Sequence, residues 1–138
     1  MSDDLHFCLY RSESTRPDAY RVMEEVAPVA DKYNRQFGLT GALYTESDFF
    51  FQWFEGPQAA CDGLLAILYA DPRHGSIKVL ASGRLRQRMF PDWRMLMLQR
   101  RDDSLFDYLA EHGRAGREGE VMAICDFLRD LAVARLAG

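Results

Sequence analysis

The chain has 138 residues, 48% apolar and 28% charged, with a formal net charge of −4. That length suits one domain with a sizeable core, and the acidic balance argues against a nucleic-acid partner, because phosphate binding relies on clustered basic surface. No stretch approaches the ~18 consecutive apolar residues of a membrane span, and the start "MSDDLHF" lacks the basic opening of a signal peptide.

Taken in chain order, "LHFCLY" (5–10) reads as a strand, with His6, Cys8 and Tyr10 on one face and Leu5, Phe7 and Leu9 on the other. "RSESTRPD" leads out of it, and Asp18 can cap a helix running to about Tyr33. Val22, Val26, Val29 and Ala30 lie along one side of that helix, and Pro28 within it should kink it. Gly38 ends the segment. "LTGALYT" (39–45) is a second strand, and the tight turn "ESD" implies antiparallel pairing with a third, "FFFQWF". Pro57 suits the start of a helix over 58–70. After the loop "DPRHGS", strands are expected at "IKVLAS" (77–82) and "WRMLML" (93–98).

The order β-α-β-β-α-β-β predicts an α+β, ferredoxin-like sandwich with both crossover helices on one sheet face. The division expected is a domain over 1–98 and a two-helix cap over 99–138, the helices split by "HGRAGREG". Val121, Ile124, Cys125, Leu128, Leu131 and Ala132 form an apolar stripe that must cover either the opposite sheet face or a partner chain. Arg84, Arg86, Arg88 and Arg94 form a local basic patch, read as solvated charge. Cys8, Cys61 and Cys125 are odd in number and without metal-like spacing. They point to reduced thiols in a cytoplasmic protein with no metal site.

Gln52 is the residue that does not fit. Alternation puts Phe50, Gln52 and Phe54 on one face of the third strand and Phe49, Phe51 and Trp53 on the other. Both faces are apolar, so the strand should be central and covered on both sides. An unpaired amide there would cost roughly 1–3 kcal/mol, so Gln52 should have partners. A structural amide bonded to backbone or water is the plain reading. The sharper one starts from Tyr10, which the fold brings beside Gln52 and which also needs a hydrogen-bond partner. Asn34, at the end of the first helix, adds a second amide near the same face. A phenol and two amides, framed by Val26 and Leu68, describe a slot for a flat heterocycle with donor and acceptor edges.

At this point the sequence resembles the BLUF domain, the blue-light sensor using flavin adenine dinucleotide, in the form of a short stand-alone BLUF protein. The resemblance covers residue 5 to about 98. It rests on "LYRS" (9–12), "YNRQFGLTGALY" (33–44), "FFFQWFEGP" (49–57), "DPRH" (71–74) and "RMFPDWRM" (88–95). It implies that Asn34 holds the pyrimidine edge of the flavin ring and that Gln52 lies between the flavin and Tyr10. Val26 and Leu68 would sandwich the ring, with Asp71, Arg73 and His74 toward the ribityl side and Tyr33 at the same site. Trp93 and Met95 would flank the glutamine, completing a photoactive set with Tyr10 and Gln52. The cofactor implied is FAD, with FMN or riboflavin as alternatives carrying the same ring.

The mechanism implied is a sensor's, not an enzyme's. Tyr10 would give an electron and then a proton to the excited flavin, and Gln52 would rearrange by rotation or tautomerisation. The signal would leave through the last strand and the C-terminal helices. With no output domain in the sequence, it would pass by contact to an unidentified downstream protein, and a homo-oligomer without membrane or direct nucleic-acid contact is expected. Three positions depart from the family's usual pattern. Ala66 and Ile67 stand where an arginine usually holds the ribityl-phosphate part, Tyr33 replaces a more polar residue, and Pro28 interrupts the first helix. The alternatives from other classes are a flavin-free ferredoxin-like interaction module and an RNA-binding sheet of the RRM kind.

Overall fold

The computed structural model describes residues 4–91, 95–99, 104–112 and 117–137. Along the chain run β1 (Leu5–Ser14), α1 (Ala19–Phe37), β2 (Thr40–Glu46), β3 (Phe49–Pro57), α2 (Gln58–Ala70) and β4 (His74–Arg84). A short β5 (Leu96–Gln99) and the helices α3 (Leu105–His112) and α4 (Arg117–Ala137) follow. This is the expected ferredoxin-like α+β order with two further helices. The sheet order is β4-β1-β3-β2-β5, and only β2 and β5 run parallel.

The alternation of β3 sorts the core into two layers. Phe51 and Trp53 face one side, packed with Leu9, Tyr44, Leu98, Ile124, Phe127 and Leu128. Phe50 and Phe54 face the other, toward α1 and α2. The α4 stripe therefore lies on the sheet: Ile124, Cys125, Leu128 and Ala132 are buried in the first layer, with Val121 and Leu131 packed against it. β5 follows the same alternation, with Leu96 and Leu98 in the α4 layer and Met97 in the α1 layer.

Several boundaries differ from the sequence expectation, each for a reason. β1 continues through the polar "RSES" because Glu13 and Ser14 pair with Gly75 and His74, which also starts β4 three residues early. α1 continues to Phe37, where Gly38 caps it in the left-handed region at φ 72°. Pro28 lies inside α1, which is helical on both sides of it; the carbonyl it leaves unbonded is that of Glu24, on the exposed side. Asp18 caps the helix as expected, accepting from the Arg21 N–H at 3.3 Å. The described part of the last strand starts at Leu96; Trp93, Arg94 and the glycine-rich 113–116 lie outside the described residues.

Two buried carboxylates, Glu55 and Glu46, which no local sequence pattern marks, tie the connections down. Glu55 accepts from Trp53 Nε1 (2.8 Å), Thr40 Oγ1 (3.1 Å) and the backbone N–H groups of Met89 (2.9 Å) and Phe90 (2.8 Å). Arg88 is not solvated charge: it donates to Thr40 Oγ1 and to the Gly38 carbonyl, both at 2.8 Å, and to the Glu55 carbonyl at 3.1 Å. Glu46 accepts from the Tyr44 hydroxyl (2.7 Å), the Leu105 N–H (2.7 Å) and the Ser104 hydroxyl. A carboxylate at the start of α3 meets unpaired amide donors and the positive end of the helix dipole.

Leu128 is fully buried between α4 and the sheet. Leu128→Ala should therefore lower stability by about 2–5 kcal/mol in urea unfolding, and a loss under about 1 kcal/mol would show that the stripe is not core.

Candidate functional site

The site is built from the register of β1 on β3. Tyr10 and Gln52 are direct cross-strand partners, both pointing to the α1 and α2 side, where α-helical cover keeps water out. The Tyr10 hydroxyl donates to Gln52 Oε1 at 2.5 Å. Gln52 Nε2 donates to Met95 Sδ at 3.3 Å, a weak acceptor. The amide is 4% exposed, so these two groups are what it has in the protein. Burial holds the Tyr10 phenol far above its ordinary value of 10.0, and the nearby Cys8 thiol and Asp71 carboxylate push the same way. The tyrosine is a neutral donor at any physiological pH.

Asn34 comes from the last turn of α1. Its carbonyl closes the helix by accepting from the Gly38 N–H and, at 2.9 Å, from the Leu39 N–H. Its side chain is 1% exposed, and neither Nδ2 nor Oδ1 has a partner in the protein. A buried amide with both ends unmet is a costly arrangement unless something else meets them.

Tyr10, Gln52 and Asn34 share one cleft between α1, α2 and the sheet. Its empty space is about 820 Å³ including the open mouth. Val26 and Tyr33 from α1, and Leu68 from α2, form the helical walls; Met95 lies along the sheet side. Asp71, Arg73 and His74 line it as well. Burial tends to raise the Asp71 carboxyl, but the hydrogen bonds and charge of Arg73 outweigh it and hold the acid below its usual range. His74 Nε2–H donates to the Leu68 carbonyl at 2.8 Å, which leaves Nδ1 to accept from the Ser12 hydroxyl at 2.7 Å. His74 thereby ties the end of α2 to β1. Among the described residues, no group of three or more His, Cys, Asp or Glu could hold a metal ion, and no helix is long and apolar enough to cross a membrane.

The family model of BLUF, sensors of blue-light using FAD, matches residues 5–96. The chain belongs to the BLUF family. It is a flavin-binding blue-light sensor, as the match and its relatives agree. Photoactivated adenylate cyclase subunit beta of Euglena longa is 39% identical over 111 residues, 79% of this chain. Subunit alpha of Euglena gracilis is 38% identical over 106 residues, 75% of this chain. The chain spans 12% and 10% of the length of these two relatives, so the cyclase activity in their names is said of those whole proteins. The dark-state structure of the BLUF protein BlrB superposes with a TM-score of 0.79 at 29% identity, covering 94% of this chain and 98% of that one. A bacterial light-regulated adenylyl cyclase gives 0.68 at 25% identity over 78% of this chain and 32% of that one.

Within this BLUF chain, Tyr10, Val26, Tyr33, Asn34, Gln52, Leu68, Asp71, Arg73, His74 and Met95 all line the one cleft. Trp93 lies outside the described residues. The sequence reading missed Met23, Leu43, Phe50 and Leu64 as lining residues. Leu43 was accessible from register, as the partner of Gln52 on β2. The others are apolar, and a residue that fills a core carries the same periodic signal as one that lines a cavity. Ser12, the partner of His74, lies within "LYRS" (9–12) but had no role of its own in the sequence reading.

Two measurements probe this geometry in flavin-free protein. Leaving the Asn34 amide unmet costs about 1–3 kcal/mol, so Asn34→Leu should leave the melting temperature unchanged or raise it; a clear drop would mean the amide is already satisfied. Tyr10 ionises later when folded than its ordinary value of 10.0. Above that pH the unfolded chain loses the proton first, so stability is full below it and falls as pH rises. Tyr10→Phe should flatten that alkaline fall, and an unchanged slope would place the phenol in contact with water.

Proposed function

We propose that the cleft holds the flavin ring between Val26 and Leu68, with its pyrimidine edge on the Asn34 amide and Gln52 between the ring and Tyr10. The supporting observation is the Asn34 side chain, buried with Nδ2 and Oδ1 both unpaired. One donor and one acceptor side by side match the adjacent N–H and C=O of that edge. A flavin-free interaction module leaves this amide without a reason, and an RNA-binding sheet needs an open face where α4 packs.

When bound, the flavin supplies absorption of blue light and, once excited, a one-electron oxidant. Tyr10 would be the donor: its hydroxyl donates to Gln52 Oε1, so loss of an electron would release that proton toward the amide. Gln52 would rearrange, by rotation or tautomerisation, and Tyr10 would recover its electron and proton, so nothing would be consumed. The rearranged amide no longer offers Met95 Sδ the same N–H. Trp93 and Met95 are the flanking pair through which β5, and then the helices of the 99–138 cap, respond. Arg73, Asp71 and His74 line the cleft toward the ribityl side, and Tyr33 the helical wall beside Asn34.

Three buried free cysteines support a reducing, cytoplasmic setting. The signal passes by contact to a downstream protein, with the chain acting as a homo-oligomer. Purified protein should be yellow, and its visible band should move reversibly to longer wavelength under blue light. Gln52→Leu should keep the flavin and lose the shift. Colourless protein that takes up no added flavin would end this reading; a full shift in Gln52→Leu would move the switch to another residue.

A further inference from the structure

Two stretches of the sequence take no direct part in the cleft: "EGP" (55–57) at the end of β3 and "RMF" (88–90) ahead of β5. The fold joins them. Glu55 is fully buried, and its carboxylate accepts from the Met89 and Phe90 N–H groups at 2.9 and 2.8 Å. It thereby pins the chain shortly before Met95, the acceptor of Gln52 Nε2. Arg88 reaches the opposite way. Its Nη2 donates to the Gly38 carbonyl at 2.8 Å, and its Nη1 donates to Thr40 Oγ1 at 2.8 Å and to the Glu55 carbonyl at 3.1 Å. Thr40 closes the circuit by donating to the Glu55 carboxylate at 3.1 Å.

Gly38 is where α1 turns into β2, and the Asn34 carbonyl holds that turn by accepting from the Gly38 and Leu39 N–H groups. The end of β3 lies close against it: a Cβ on Gly56 would stand 2.8 Å from the Gly38 carbonyl oxygen. One clamp therefore grips the backbone at two polar members of the cleft's surroundings, the Asn34 turn and the approach to Met95. A guanidinium suits this place, because its rigid fork of donors meets several acceptors at once, which a lysine ammonium does not. Placement is what the cleft needs. The Asn34 amide is buried with both ends unpaired, and a hydrogen bond weakens steeply once its donor leaves the line to the acceptor.

We propose that Arg88 and Glu55 are positioning residues for the flavin. Neither lines the cleft, and each acts by holding a residue that does, Arg88 through Asn34 and Glu55 through Met95. This rests on the flavin-pocket reading above and adds which residues outside the pocket set its geometry. The two halves of the clamp govern different things. Arg88 bears on how tightly the ring is held, and Glu55 on how the Gln52 amide is oriented before light arrives.

The first readout needs no flavin: hydrogen exchange at the Leu39 N–H, which is bonded to the Asn34 carbonyl. Arg88→Ala should speed that exchange about tenfold, the change expected when one charged hydrogen bond is lost. In an FAD titration followed by flavin fluorescence, the same variant should bind about tenfold more weakly. Glu55→Gln puts an NH2 group among N–H donors and should lose most of the light-induced band shift; if it fails to fold, Arg88→Ala carries the test. Leu128→Ala, destabilised in the other core layer, should keep wild-type affinity and shift. Wild-type exchange and affinity in Arg88→Ala would overturn the proposal, as would a full shift in folded Glu55→Gln. So would equal losses in Leu128→Ala, because stability alone would then account for them. If the wild-type protein takes up no FAD, the flavin-pocket reading fails and this one with it; FAD binding that Arg88→Ala leaves unchanged sinks this one alone.

Discussion

The bond from the Tyr10 hydroxyl to Gln52 Oε1, 2.5 Å long, is the interaction around which the site is organised. It exists because β3 is covered on both faces, which forces an amide in its middle to find partners inside the protein. The cross-strand register leaves Tyr10 as the group opposite. The two partners of Gln52 differ in kind. A phenol can donate or accept, whereas the Met95 sulfur can only accept, and weakly. The present orientation, Oε1 toward Tyr10 and Nε2 toward Met95, is the one that gives both partners what they can use. Turning the amide over leaves Tyr10 able to adapt and Met95 without a donor. The side of the network that registers a change is therefore the methionine side.

The fold was legible in the sequence because its strongest signals are local. β3 is a short apolar run bounded by turn residues, and the α4 stripe shows helical spacing down to Ala132. What the sequence concealed is what depends on long-range pairing. "RSES" is polar and turn-like, yet it is strand because Glu13 and Ser14 have Gly75 and His74 to pair with. Glu55 and Glu46 look like surface acids at the ends of strands; both are buried, because their donors are backbone N–H groups some 34 and 59 residues further along. No local pattern announces that.

The candidate site divides along the same line. Its polar members stood out because they are anomalies: a glutamine among phenylalanines, a phenol on the facing strand, an asparagine where a helix turns into a strand. Its apolar members did not. Met23 and Phe50 are spaced like core residues and buried like core residues, and only the space beside them makes them part of a pocket. Arg73 shows a third case. From sequence it is a cation near a cofactor; in the fold it is half of an ion pair with Asp71, and its charge is already answered.

The strands that meet at Gln52 are unequal, and this inequality gives the network a direction. β3 is paired on both sides, by β1 over nine residue positions and by β2 over seven. β5 has four residues and pairs only with β2. Met95 stands one residue before it, and Arg135 of α4 holds it from the other side by donating to the Met97 carbonyl at 2.5 Å. A change of about 1 kcal/mol in one hydrogen bond cannot shift a strand held by two full ladders. It is comparable to what holds a short edge segment, since local stability falls with the number of contacts that must break. The amide sits in a strand paired on both sides and reaches, through Met95, the start of one paired on one side only. Leu96 and Leu98 of that strand belong to the α4 layer and Met97 to the layer on the cleft side, so β5 touches both the cleft and the helices on the far face.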